Sequence, residues 1–201
     1  ATHPPHPEAV SWVLTLAGER FVGGLPRRDD DPPIVRMIAS LDARGYTRVI
    51  SALGLAKLAF SKQHKLIRNR DQARLLLLRP SLPSPRPDLI ELTMADLASV
   101  QNDAAGVPIH NLTPRLGLRS LGRLLANVDP HRVRWTLQHL PYPMARSLHQ
   151  GMNLETHGIS PEELFAWESD LLRAAIVLLI QENRVDPMIM ADPSSRREAA
   201  W

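Results

Sequence analysis

The sequence predicts an all-α protein of two small helical bundles joined by a proline-rich linker, and three observations predict it. Apolar residues recur at intervals of three and four, with no convincing stretch of strand-like alternation. The apolar positions are filled by Leu, Ile, Val and Ala, and only nine of 201 residues are aromatic, a composition that favours helices. Helix starts made of a polar cap followed by proline recur along the second half of the chain.

An N-terminal helical unit is expected over residues 1–79. "PEAVSWVLTLAG" reads as a short helix, and "PPIVRMIASLDARG" as a second one opened by proline and closed by Gly45. "YTRVISALGLAKLAF" reads as a third, capped by Thr47 and continuing through "SKQHKLIRNRDQARLLLL". In that last piece Leu66, Ile67, Ala73, Leu76 and Leu77 fall at helical spacing with arginines between them, which predicts an apolar face and a basic one.

Residues 80–112 are expected to form the linker. "RPSLPSPRPDL" carries four prolines in eleven residues and cannot continue a helix. A short helix at "TMADLASVQ" and a loop at "NDAAGVPIHN" follow.

The C-terminal helical unit covers residues 113–183. "TPRLGLRSLGRLLANV" has Thr113 as cap, Pro114 at the first helical position, and Leu118, Leu121, Leu124 and Leu125 on one face. "DPHRVRWTLQHL" repeats the device with Asp129 and Pro130, burying Val133, Leu137 and Trp135. "LPYPMARSLHQG" follows and is expected to end at Gly151 as a C-cap. "SPEELFAWESDLLRAAIVLLIQEN" opens with a capping box, Ser160 and Glu163, and predicts a long helix enclosed by others beyond Leu171. Residues 184–201 read as a polar tail.

Composition narrows the function classes. With no cysteine there is no disulfide framework, thiolate metal site or cysteine nucleophile. The longest apolar run, Ala174 to Ile180, is far shorter than the roughly 20 residues that span a bilayer, so no transmembrane segment is expected. The start "ATHPPHPEAV" shows no signal peptide, which predicts a cytoplasmic protein, and its lack of an initiator Met leaves open whether residues precede Ala1. The formal charge is only +3, yet it is unevenly spread. Residues 62–79 hold six basic side chains against Asp71, residues 115–146 hold six against Asp129, and from Glu155 onward nine acids face four arginines.

The spacing of the proline-marked starts, DP-x9-LP-x18-SPEE, is carried by Asp129, Pro130, Leu140, Pro141, Ser160, Pro161 and Glu162. It resembles the middle domain of FliG, the flagellar motor switch protein, over roughly residues 118 to 175. The superhelical domain of MgtE-type magnesium transporters shares the DP and LP elements. The resemblance implies a FliG-like right-angle helical array. The EHPQ partner-binding motif of FliG has no counterpart here, and neither a charged torque helix nor a Gly-Gly hinge is found within or after the matched segment. What the resemblance then implies is a cytoplasmic adaptor at a FliG-like position in a related machine, such as the SctK-like proteins of the type III secretion sorting platform, peripheral to its membrane-embedded part.

No catalytic, cofactor-binding or metal-ligating constellation is expected. His131 and His139 lie eight residues apart on one helix face, about 12 Å at 1.5 Å per residue, too far to share an ion unaided. Ser160 is spent on its cap, and Asp29, Asp30 and Asp31 read as a solvated loop. The expected function is a non-enzymatic scaffold that holds protein partners through Lys65, Arg68, Arg70, Arg74, Arg132, Arg134, Tyr142 and Met144, since arginine and exposed aromatics suit protein interfaces. Core packing is the default for Trp135, Tyr142 and Trp167; of the three, Tyr142, between two prolines at a helix start where exposure is easier than burial, is the one chosen as interface anchor, next to Met144. The alternative is a nucleic-acid-binding regulator using the basic helices at 62–79 and 115–146. It lacks stacking aromatics in the first of these, and the acidic C-terminal region would repel a polyanion.

Overall fold

A computed structural model of the chain describes residues 31–39, 41, 43–61, 69–84, 86–103, 111–126, 142–152 and 158–190. Within them the fold is all-α: α1 (Pro33–Ala39), α2 (Ala43–Leu58), α3 (Asn69–Leu78), α4 (Pro87–Asp103), α5 (Thr113–Ala126), α6 (Tyr142–Met152) and α7 (Pro161–Gln181). Two 3-10 turns, Arg79–Ser81 and Pro187–Met190, complete the regular structure.

The expected division into two bundles does not hold among these residues. α2, from the expected first unit, packs most extensively on α5 and α7 of the second, and the buried apolar side chains from Ile34 to Ile189 form one continuous core. The proline-rich segment explains why. Its prolines stop α3 and then start α4 at Pro87, so they turn the chain between packed helices. α4 is correspondingly longer than expected, 17 residues, and buries Leu89, Leu92, Leu97 and Val100.

α5 is the hub, in contact with α2, α4, α6 and α7. Every residue from Leu116 through Leu125 is buried, so the single leucine face expected from the sequence is replaced by burial on all sides. Glycines make this possible. A methyl group on Gly54 would overlap the Thr113 carbonyl, and one on Gly117 the Ile50 carbonyl, so α2 and α5 meet backbone to backbone. The same reciprocity joins α5 to α6, where Gly122 faces the Leu148 carbonyl and Gly151 the Arg119 carbonyl. Gly151 therefore sits inside α6 as a contact residue and does not end the helix. Such approaches allow Cα–H groups to meet carbonyl oxygens across the interface.

Local signals fared unevenly. Ser160 and Glu163 form the expected capping box, the Glu163 amide donating to Ser160 Oγ at 3.2 Å and the Ser160 amide to Glu163 Oε2 at 3.3 Å. The other end of α7 closes on Asn183 in the left-handed region at φ 54°, with Arg184 N–H donating to the Leu179 carbonyl and Asn183 N–H to that of Ile180, a Schellman closure. Gly45 and Thr47, by contrast, lie within α2, which already starts at Ala43; Thr47 is not its cap. α2 ends at Leu58 and gives way to a turn over residues 59–61, so α3, from Asn69, does not inherit its phase. Leu75 and Leu78 face the core, leaving Leu76 and Leu77 at 63% and 52% exposure, opposite to the expected arrangement. Trp167 is buried as expected and packs on Phe60 with ring centroids 5.1 Å apart. The helix expected from Asp129, with Trp135, and the expected first helix lie outside the described residues.

The glycine crossings give a test with an unusual sign. On an open helix surface Gly→Ala stabilises by about 1 kcal/mol. Gly117→Ala must push α2 and α5 apart, and we expect it to lower the urea unfolding free energy by about 3 kcal/mol.

Candidate functional site

Beneath the hub helix lies a network of ionised side chains that the sequence reading passed over. Lys57 of α2, Asp96 of α4, Arg123 of α5 and Glu168 of α7 are all buried and meet in the core. Lys57 Nζ lies 3.0 Å from Asp96 Oδ2 and 2.8 Å from Glu168 Oε1. Arg123 grips the Asp96 carboxylate through both terminal nitrogens, one of them 2.5 Å from Oδ2, and reaches Glu168 Oε1 at 3.1 Å. Ser120 donates its hydroxyl to the other Glu168 oxygen. Two cations and two anions thus cancel, and each carboxylate is bridged by both cations. Burial alone would raise the Asp96 pKa, but Lys57 and Arg123 outweigh it and hold the carboxyl below its ordinary range. Burial likewise opposes the charge on Arg123, yet Asp96 and Glu168 raise its pKa above the ordinary value.

One turn before Arg123, Arg119 carries the network outward. Its side chain is 0% exposed, and its Nη2 donates to Ser99 Oγ at 2.8 Å, Gln150 Oε1 at 2.8 Å and Asp103 Oδ2 at 3.3 Å. Asp103 also accepts from Arg146 at 3.1 Å and from Gln150 Nε2 at 2.8 Å. Burial, with Arg123 and Arg146 nearby, holds the Arg119 pKa below its ordinary value despite Asp96 and Asp103. Above this pair opens a cleft of about 170 Å3, lined by Val100, Asp103, Arg115, Tyr142, Arg146, Ser147 and Gln150. Its rim holds Tyr142, 77% exposed and the only aromatic among the strongly exposed large apolar side chains of the described residues.

The predicted partner residues divide. Tyr142 is exposed, against the default of core packing and in keeping with its choice as the anchor. Arg70 is exposed and makes no ion pair among the described residues. Arg74 is spent within the fold, its Nε 2.6 Å from Glu182 Oε1 at the end of α7. Met144 is half-buried against the core, so neither it nor Arg74 is a free contact residue. Lys65, Arg68, Arg132 and Arg134 lie outside the described residues. Of the arginines in the second basic segment, Arg119 and Arg123 face inward, which removes them from any basic surface. Ser160 serves its cap. No group of three or more His, Asp or Glu among the described residues is arranged to hold a metal ion. No helix of the described residues is long and apolar enough to cross a membrane.

The inward arginines were missed because helical periodicity was read from leucines alone. A signal existed: Lys57 stands in "ALGLAKLAF", Asp96 in "LTMADLASV" and Glu168 in "LFAWESDLL", each a charge inside an apolar run. A charge placed there must find an opposite one.

Asp96→Asn leaves Lys57 and Arg123 short of a counter-charge, and we expect it to cost about 3–5 kcal/mol. Because the folded pKa of Asp96 is depressed, its contribution is present above the ordinary carboxylate value of about 4 and is lost as pH falls through the lower folded value. Stability measured by urea unfolding should fall below about pH 4 in the wild type and fall less steeply in Asp96→Asn.

Comparisons with protein-family models, with curated proteins and with solved structures find none that matches this chain.

Proposed function

We propose that this chain is a non-enzymatic adaptor that holds protein partners in a cytoplasmic assembly of the kind built around flagellar switches or type III secretion sorting platforms. The observation that carries the reading is Tyr142, a large aromatic side chain left 77% exposed on a helix whose backbone is pressed against the hub. An aromatic anchor on a rigid element suits a binding hot spot, because little conformational freedom is lost when a partner covers it. Arg146, one turn on and 52% exposed, and Arg115 across the cleft supply the polar surround that such anchors have. Ionised groups in the core are spent on one another, which supports a scaffold more than a reaction centre. Internal use of Arg74, Arg119 and Arg123 weighs against a nucleic-acid surface. The DP, LP and SPE spacing supplies the likeness to the motor switch.

A photocrosslinking phenylalanine analogue at position 142, in the native host, is expected to yield a protein adduct that the same analogue at Arg173 does not. Tyr142→Ala should reduce recovery of that partner by about thirtyfold, corresponding to a hot-spot loss of about 2 kcal/mol, with no change in melting temperature. Arg70→Glu should likewise leave stability intact, whereas Arg74→Glu, by repelling Glu182, should lower it. An adduct with nucleic acid alone, or none at position 142, would refute the adaptor reading.

A further inference from the structure

We propose that the cleft between the end of α4, the start of α5 and the outer face of α6 receives a carboxylate side chain from an acidic segment of a protein partner. The proposal rests on the adaptor reading and names the chemistry its surface selects.

Charge balance leads to it. In the core, Lys57 and Arg123 are matched by Asp96 and Glu168. Moving outward, Arg119 and Arg146 pair with Asp103, Arg119 also standing 3.9 Å from Asp96, and Arg115 lines the same cleft, whose one acid among the described residues is Asp103. Three guanidinium groups against one carboxylate leave positive charge uncompensated at a concave surface, where the low-dielectric walls concentrate the field. The opposite pKa shifts of the two neighbouring arginines agree with this. Arg123, beside two carboxylates, is pushed up, whereas burial pushes Arg119 down and its neighbours do not restore it.

The donors that would meet an anion are in place. Arg115 lines the cleft and makes no hydrogen bond or ion pair with the described residues. Arg146 engages Asp103 through Nη2, which leaves the rest of its planar fork for a second carboxylate. Tyr142, which lines the cleft, offers a ring against which the methylene stem of a glutamate can lie. Size argues for one side chain: about 170 Å3 suits a single carboxylate-bearing group, whereas a nucleic-acid backbone needs an extended basic track. Asp103 holds the site in the absence of a partner, sharing Arg146 and Arg119 as an internal stand-in for the incoming carboxylate.

Fluorescence anisotropy with the full chain and a labelled, end-blocked hexaglutamate peptide tests this, with hexaglutamine as the neutral control. We expect binding of the acidic peptide only. Arg115→Gln should weaken it at least tenfold, and Arg173→Gln should leave it unchanged. Asp103→Asn should tighten it severalfold, because the competing charge is removed while the amide oxygen still accepts from Arg119. That opposite sign separates competition from mere structural support, and thermal melts confirm that each variant is folded. Absence of peptide binding, an Arg115→Gln variant that binds like the wild type, or a folded Asp103→Asn variant that binds more weakly would overturn the proposal. So would displacement of the peptide by inorganic phosphate at lower concentration than by glutarate, which reassigns the cleft to phosphate groups, or by a random oligonucleotide at lower concentration than by unlabelled hexaglutamate. A protein adduct at position 142 that survives Arg115→Gln would sink the carboxylate cleft alone. Peptide binding without any such adduct would sink the adaptor reading alone.

Discussion

Four charges that cannot be left alone in an apolar interior have to meet, and the rest of this structure is arranged so that they do. Lys57, Asp96, Arg123 and Glu168 come from four different helices. Taking each out of water costs several kcal/mol, recovered only where its counter-charges stand within hydrogen-bond reach. A bundle held by leucines alone tolerates small rotations and slips of its helices, because one leucine contact resembles another. A charge quartet does not. We regard the network as fixing the register of the helices more than adding to net stability.

The glycine crossings serve the same end by different means. Gly54 with Gly117, and Gly122 with Gly151, bring α2 and α6 against the two sides of α5 closely enough for carbonyl oxygens to touch the opposing backbone. The Arg119 carbonyl lies against Gly151, while the side chain of the same residue turns to Ser99, Asp103 and Gln150. One residue therefore takes part in the close crossing and carries charge from the core to the cleft. Tyr142 and Arg146 are presented by a helix that has little room to shift.

The helical class was legible because periodicity and proline-marked starts are local properties, and the capping box of α7 was legible down to its two residues. Boundaries were harder. Gly45 and Gly151 were read as stops because glycine ends helices by adopting left-handed backbone; here both lie within helices, and at Gly151 the missing side chain matters instead. Leu76 and Leu77 were turned inward by extending α2 past its end at Leu58, which carried the wrong phase into α3. Among the candidate partner residues, the exposure of Tyr142 had a local signal in its flanking prolines. The cleft beside it was invisible, since it joins residues 100, 115 and 146 from three helices and no local pattern links them. The separation into two units failed for the same reason: a proline-rich stretch marks where a helix must stop, but it does not say whether the next helix packs back.

The order in which the quartet emerges during synthesis carries a further consequence. Lys57 leaves the ribosome more than a hundred residues before Glu168, and every residue of α2 from Ala52 to Leu58 is destined for the interior. Until α7 arrives, Lys57 has only Asp96 of its two carboxylate partners, and the apolar surface that α7 covers stays open to water. The packing of α2 on α7 can therefore form only once α7 has been made, however early α2 itself emerges. A chain cut between α4 and α5 divides the quartet two and two, Lys57 with Asp96 and Arg123 with Glu168, so each carboxylate loses one of its two cations.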